Sequence, residues 1–248
     1  MALIGCLASG GAFAWSPDTQ RAAVLDAARL APPGLAGQLE RHARELEEGV
    51  VEPFSDVDPL RHMKNPDGTG RLDAVMLDET TRAIDALRAF RPFSEVARRL
   101  GRVAHWIADL NNPLNASAAD PDEGLYFRDF LLYAESARPR FALVLYENAA
   151  TVSRRQDLTT LAGLALARGR ELYPMIGLEY RRIDFGSGIA SFDDRSTAFG
   201  VAALAYSHAV TDTARVFRYV WLASGGDDPR SVLDRPRDRI LLVPRAAP

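Results

Sequence analysis

The 248-residue sequence predicts an all-α protein built as a single multi-helix domain. Three observations predict it. Apolar residues recur every three or four positions through most of the chain, the period of a helix that buries one face. Proline and glycine interrupt these stretches where helices would end. No strong strand pattern and no internal repeat accompanies them. The apolar share, 47%, suits a sizeable core.

The elements follow in order. Ser16-Pro17-Asp18 opens a first helix, because serine caps free amides and proline is tolerated in the first turn. Apolar positions 23, 24, 27, 28, 30 and 31 continue it until Pro32-Pro33 stops it. A second helix is expected from about Pro33 to Glu48, with Gly49 as its terminator. Residues 50 to 75 carry Pro53, Pro59, Pro66 and the turn-rich run Asn65-Pro66-Asp67-Gly68-Thr69-Gly70, so they read as a long loop. Long ordered loops are often functional. Helical periodicity returns from Leu77 to Phe90 and breaks at Arg91-Pro92. Ser94 is expected to cap the next helix, which carries His105 and Asp109 and ends before Pro113. Residues 123–136, 140–152 and 157–180 are helical in pattern, and 183–192 reads as a loop. Asp193 to Ser196 can cap a last long helix through Val201, Leu204, His208, Val216 and Val220, which Gly225-Gly226 ends. The domain is thus expected over 15–226, and the Pro- and Arg-containing stretch 227–248 reads as a weakly ordered tail.

Residues 1–14 carry no charge. Ala12-Phe13-Ala14 has the small-x-small form of a signal-peptidase site, and Leu3-Ile4-Gly5-Cys6 fits the pattern that precedes a lipidated cysteine. The plain alternative is an apolar arm packed on the domain. Either export reading places the protein outside the cytoplasm, as a periplasmic, extracellular or membrane-anchored lipoprotein. No other segment is long and apolar enough for a transmembrane helix. Lys plus Arg total 30 and Asp plus Glu 33, a net charge of −3, which argues against an extended nucleic-acid surface. A small site for a phosphate ester remains open. The single cysteine, Cys6, excludes an intrachain disulfide framework and a Cys-rich zinc site.

The candidate chemistry lies in His105-Trp-Ile-Ala-Asp109, an imidazole and a carboxylate stacked one turn apart on an apolar helix. Zinc takes a tetrahedral shell of His and carboxylate ligands where thiolates are absent. The preceding loop supplies His62, flanked by Asp56, Asp58 and Asp67, with Glu52 nearby. Two His plus two carboxylates fill a shell. The competing reading is a helix-face ion pair at 105/109 and a solvated His62. His42 sits on a charged helical face, and His208 reads as a core histidine. Trp106, Trp221 and Tyr126 read as core or rim aromatics.

Several motifs together resemble the zinc-dependent phospholipase C family, which is related to the fungal single-strand zinc nucleases. The loop motif His-x-x-x-Pro-Asp stands as His62-Met-Lys-Asn-Pro66-Asp67. The helix motif Leu-Gly-x-x-x-His-x-x-x-Asp stands as Leu100-Gly101 to His105 and Asp109, followed by Asn112-Pro113-Leu114. Trp15 would lead the chain after cleavage at Ala14, as Trp does in the family. The resemblance covers residues 15–117 and implies an exported all-α fold with zinc. The family carries three zinc ions, and this chain departs from that pattern. Asn115 replaces a ligating His, Gln20 stands where the first helix has one, and no His lies between 106 and 207 to form the later His-x-x-x-Glu pair. The resemblance therefore implies one ion rather than three, held by His62, His105, Asp109 and either Asp56 or Glu52. Asp67 or Asp58 would act as general base. The implied function is hydrolysis of a phosphate ester, a small molecule or a lipid head group, at a reduced zinc site. The alternative is a non-catalytic exported or lipid-anchored helical domain, with one structural metal or none, that binds a ligand or partner.

Overall fold

The computed structural model describes residues 15–145, 152–227 and 241–243. Its helices are α1 (Pro17–Arg29), α2 (Pro33–Arg41), α3 (Ala43–Val51), α4 (Leu72–Arg88), α5 (Phe93–Leu110), the single turn α6 (Pro113–Ala116), α7 (Glu123–Ala137), α8 (Arg155–Arg182), the single turn α9 (Gly188–Ser191) and α10 (Thr197–Ala223). Short 3-10 turns occupy Glu52–Ser55, Pro59–Arg61 and Arg138–Arg140. The expected all-α architecture is the one found. Residues 1–14 and most of the tail lie outside the described residues.

Local chemistry sets most boundaries. Ser16 accepts from the Thr19 amide at 3.1 Å and starts α1, and Ser196 accepts from the Phe199 amide at 3.1 Å and starts α10. Pro92, rather than Ser94, is the residue before α5. The helix expected over 33–48 is broken at His42 into α2 and α3 (φ −116°, ψ 30°). Gly49 does not terminate a helix but lies inside α3.

The reason is packing. At Gly49 an added Cβ would fall 1.9 Å from the Arg98 carbonyl oxygen, and at Gly101 2.2 Å from the Leu46 carbonyl oxygen. The two glycines let the backbones of α3 and α5 touch, and these helices form the most extensive helix pair. The 140–152 helix expectation also fails where it can be examined. Arg138–Arg140 forms a 3-10 turn around Pro139, and β1 (Leu143–Leu145) follows, antiparallel to β2 (Leu241–Val243), with Leu143 opposite Val243. A short apolar run satisfies strand and helix patterns equally, and a remote partner decides between them. Residues 146–151 of that expected helix lie outside the described residues.

Two apolar clusters fill the interior. One joins α3, α4 and α5 with the C-terminal half of α10, through Leu46, Val50, Met76, Leu100, Val103, Ile107 and Phe217. The other gathers aromatics of α7, α8 and the N-terminal half of α10, including Tyr126, Phe130, Tyr133, Tyr180 and Tyr206. They meet along α5: Ile107 and Leu110 belong to the first, Ala108 to the second. Asp109 sits at that junction.

Candidate metal centre

The loop before α4 delivers His62 by a built turn. Asp58 accepts from the Leu60 amide at 3.0 Å and caps Pro59–Arg61, and the His62 amide closes the turn on the Pro59 carbonyl at 3.0 Å. The loop is then anchored to its surroundings, with the Lys64 amide donating to the Asn115 carbonyl (2.9 Å) and the Arg71 amide to the Leu60 carbonyl (2.8 Å). His62 ends up 1% exposed, in company with His105 at 0% and Asp109 at 1%.

The three side chains converge. His62 Nδ1 lies 2.7 Å from Asp109 Oδ2, His105 Nε2 lies 3.3 Å from the same oxygen, and the two ring nitrogens are 3.4 Å apart. His105 Nδ1 faces the Val50 carbonyl at 2.9 Å. A carbonyl only accepts, so Nδ1 carries the proton and the lone pair of a neutral ring falls on Nε2. Val50 belongs to the last turn of α3, where carbonyls lack a helical partner, and the glycine crossing brings it within reach. Asp109 is oriented from the other side, its Oδ1 accepting from Gln20 Nε2 at 3.1 Å.

These atoms fit a cation. A lone pair on His105 Nε2 facing a carboxylate oxygen needs a proton or metal between them. Zinc bonds of 2.0–2.1 Å in a tetrahedral shell place ligand atoms about 3.3 Å apart, and two of the three separations match. Among the described residues these three form the group able to hold a metal ion. Burial pushes the Asp109 carboxyl up, but its charge and hydrogen-bond interactions with His105 and His62 outweigh that and hold it below the ordinary carboxylate value. Aromatic walls enclose the rings, with Trp106 4.7 Å from the His62 ring and 4.9 Å from His105, and Phe54 edge-on to His105 at 4.9 Å.

The other sequence-derived acids stand outside this group. Asp56 pairs with Arg61 at 2.5 Å, and Glu52 pairs with Arg102 at 2.5 Å and Arg98 at 3.3 Å. Asp58 caps the His62 turn and pairs with Arg71. Asp67 is exposed in the Asn65–Gly70 turn and accepts from the Thr69 amide at 2.8 Å, a bond that holds its carboxyl below the usual range. Sequence reasoning missed the parts played by Val50 and Gln20, and it took Trp106 as a plain core or rim aromatic. It also missed Glu79, whose place on the apolar face of α4 beside Met76, Thr80 and Ala83 is a readable signal. Asn115 is buried, with its carbonyl, not its side chain, engaged by Lys64. Trp15 is buried and its indole donates to the Ala108 carbonyl at 3.1 Å. His42 faces Glu45 at 3.6 Å, and its ring lies tilted against Phe93 with centroids 5.6 Å apart.

No protein-family model matches the chain, and no curated protein matches it. Solved structures do. The alpha-toxin from Clostridium absonum superposes with a TM-score of 0.62 at 14% identity, covering 86% of this chain and 67% of the toxin. The alpha-toxin of Clostridium perfringens from avian strain SWCP gives a TM-score of 0.65 at 13% identity, covering 89% and 67%. The fold is that of the clostridial alpha-toxins. At this identity the likeness establishes the all-α architecture. No helix among the described residues is long and apolar enough to cross a membrane.

Proposed function

We propose that this chain is a divergent, zinc-dependent phosphate-ester hydrolase of the phospholipase C type. In this reading His62, His105 and Asp109 hold one ion. The observation that carries it is the convergence of three ligand atoms, two of them at zinc-shell separations, on one buried point. The alpha-toxin fold supports the choice of zinc and of phosphate esters. Zinc supplies Lewis acidity toward a phosphoryl oxygen and an acidified water at neutral pH.

The chain's own residues prepare the site. The Val50 carbonyl fixes the His105 tautomer, and Gln20 turns Asp109 so that Oδ2 faces both rings. Asp58 and Asp67 serve in this reading as positioning residues: each braces a turn next to His62. Asp56 and Glu52, each matched to an arginine, shape the approach rather than complete the shell. The substrate is a small phosphate ester or a lipid head group. Export, through cleavage after Ala14 or lipidation at Cys6, belongs to the same proposal.

One observation favours a second reading. All three ligand residues are at most 1% exposed, which suits a structural ion in a non-catalytic exported or lipid-anchored domain. Zinc-dependent turnover of a phosphodiester, measured beside His105→Ala, separates the two. The proposal expects turnover that needs zinc and is absent from the variant. Zinc that binds and is lost in His105→Ala, without turnover of any phosphate ester, establishes the structural reading. Turnover unchanged in His105→Ala refutes the catalytic one.

A further inference from the structure

A polar cleft of about 470 Å³ opens beside the metal centre. The two share Trp106, which packs on both imidazoles and lines the cleft. Three guanidiniums reach the cleft from three elements: Arg61 beside His62, Arg82 on α4 and Arg102 on α5. Each is tethered by carboxylates, Arg61 to Asp56 at 2.5 Å, Arg82 to Asp78 at 2.7 Å and Glu79 at 3.0 Å, and Arg102 to Glu52 at 2.5 Å. A guanidinium carries five N–H donors, and a carboxylate engages at most a parallel pair of them. Donors therefore remain for a ligand. The three side chains keep 32%, 51% and 34% of their surface exposed.

The lining is also incompletely satisfied. Glu79 is 4% exposed; its Oε1 accepts from Arg82 at 3.0 Å while Oε2 has no partner among the described residues. Trp106 is 2% exposed and its indole N–H has none either. Buried polar atoms without partners are costly and call for explanation. The groups next to them are partly exposed rim cations: Arg82 is paired to Glu79, and Arg61 lies over the Trp106 ring at 5.3 Å. A rotamer change of either long side chain admits a ligand to the orphaned atoms.

This inference rests on the phosphate-ester reading above and names the ester. We infer that the cleft binds a phosphorylated polyol, its phosphate on Arg61, Arg82 and Arg102 and a free hydroxyl donated to Glu79. Phosphate oxygens supply acceptors for the guanidiniums and the indole N–H, and the hydroxyl supplies the donor that Glu79 lacks. An ammonium group in the hydroxyl's place would pair with the same Glu79 carboxylate, so it is the competing occupant that the test must exclude.

Isothermal titration of the full chain tests this, zinc-loaded and EDTA-treated in parallel, with sn-glycerol 3-phosphate, inorganic phosphate and phosphoethanolamine. Glycerol phosphate should bind about tenfold tighter than inorganic phosphate, the worth of one hydrogen bond to a charged group, and no weaker than phosphoethanolamine. Arg61→Gln and Arg102→Gln should weaken all three ligands, while the isosteric Glu79→Gln should abolish the preference and leave phosphate binding. No saturable binding to the folded wild-type chain, a preference for phosphoethanolamine, or a preference that survives Glu79→Gln overturns the inference. Polyol-phosphate binding in both metal states without turnover would sink the catalytic reading alone. Zinc-dependent turnover without the polyol preference would sink this inference alone.

Discussion

Gly101→Ala probes the link between helix packing and the metal centre. The new methyl would sit 2.2 Å from the Leu46 carbonyl oxygen and 2.7 Å from the Val50 amide nitrogen, both backbone atoms of α3. Ordinary contact lies near 3.5 Å, so α3 must retreat by roughly 1 Å. That retreat lengthens the 2.9 Å bond from His105 Nδ1 to the Val50 carbonyl beyond hydrogen-bond range. Overpacking of this kind costs about 1–3 kcal/mol, and the lost buried hydrogen bond adds about 1 kcal/mol. The better helix propensity of alanine returns about 1 kcal/mol. The net expectation is a loss of about 2 kcal/mol, together with a 10- to 100-fold drop in zinc affinity of the order seen when a ligand's outer partner is removed. Gly163→Ala is the matched control: nothing lies within 4 Å of its added methyl, and it too is helical. It should gain roughly 0.5–1 kcal/mol and leave zinc binding alone. Urea unfolding in EDTA measures the first quantity, and competition with a chromogenic chelator the second. If Gly101→Ala proves as stable as Gly163→Ala and binds zinc as wild type does, the crossing does not hold His105 as described.

Two further expectations follow from the polar groups around α10. Asp212 is buried and accepts from Arg168 at 2.5 Å, Arg215 at 3.1 Å and Asn111 at 3.2 Å. Asp212→Ala removes the acceptor shared by two guanidiniums and should cost about 3–5 kcal/mol in denaturant unfolding; a loss under 1 kcal/mol would show the network to be slack. His208 is pushed down to about 4, first by burial and then by the Arg168 charge. Its unfolded form takes a proton below its ordinary value near 6.5 while the folded form does not. The stability it confers is thus complete above that value and falls as pH drops toward 4, by at most about 3 kcal/mol, less the screening that its partly exposed ring receives. His208→Gln should flatten the fall in melting temperature between pH 6.5 and 4.5; parallel curves for variant and wild type would refute the assignment.

The helices were legible because their signals are local. Ser16, Ser196 and the apolar spacing around His105 each act within a turn or two. The His105–Asp109 pair was legible for the same reason, and His62 because a Pro-rich loop with one imidazole stands out. What escaped depends on contacts between distant elements. Gly49 has the form of a terminator, and only the opposing backbone at Arg98 makes it a crossing point. Leu143 to Leu145 reads as helix until its remote strand partner is known. Asp56 and Glu52 carry ligand chemistry in sequence, but Arg61, Arg98 and Arg102 fold onto them as counter-ions. Gln20 and Val50 gave no signal as ligand holders, since an amide and a main-chain carbonyl acquire that task only from the geometry around them.

Zinc content tests the central claim most directly. The chain should be purified without chelator, with Asp56→Asn, Glu52→Gln and His105→Ala prepared alongside, and zinc per chain determined by mass spectrometry. The account predicts one zinc per chain in the wild type and in the two acid variants, and none in His105→Ala. Two or more ions per wild-type chain, no zinc after reconstitution, or zinc retained by His105→Ala would contradict it.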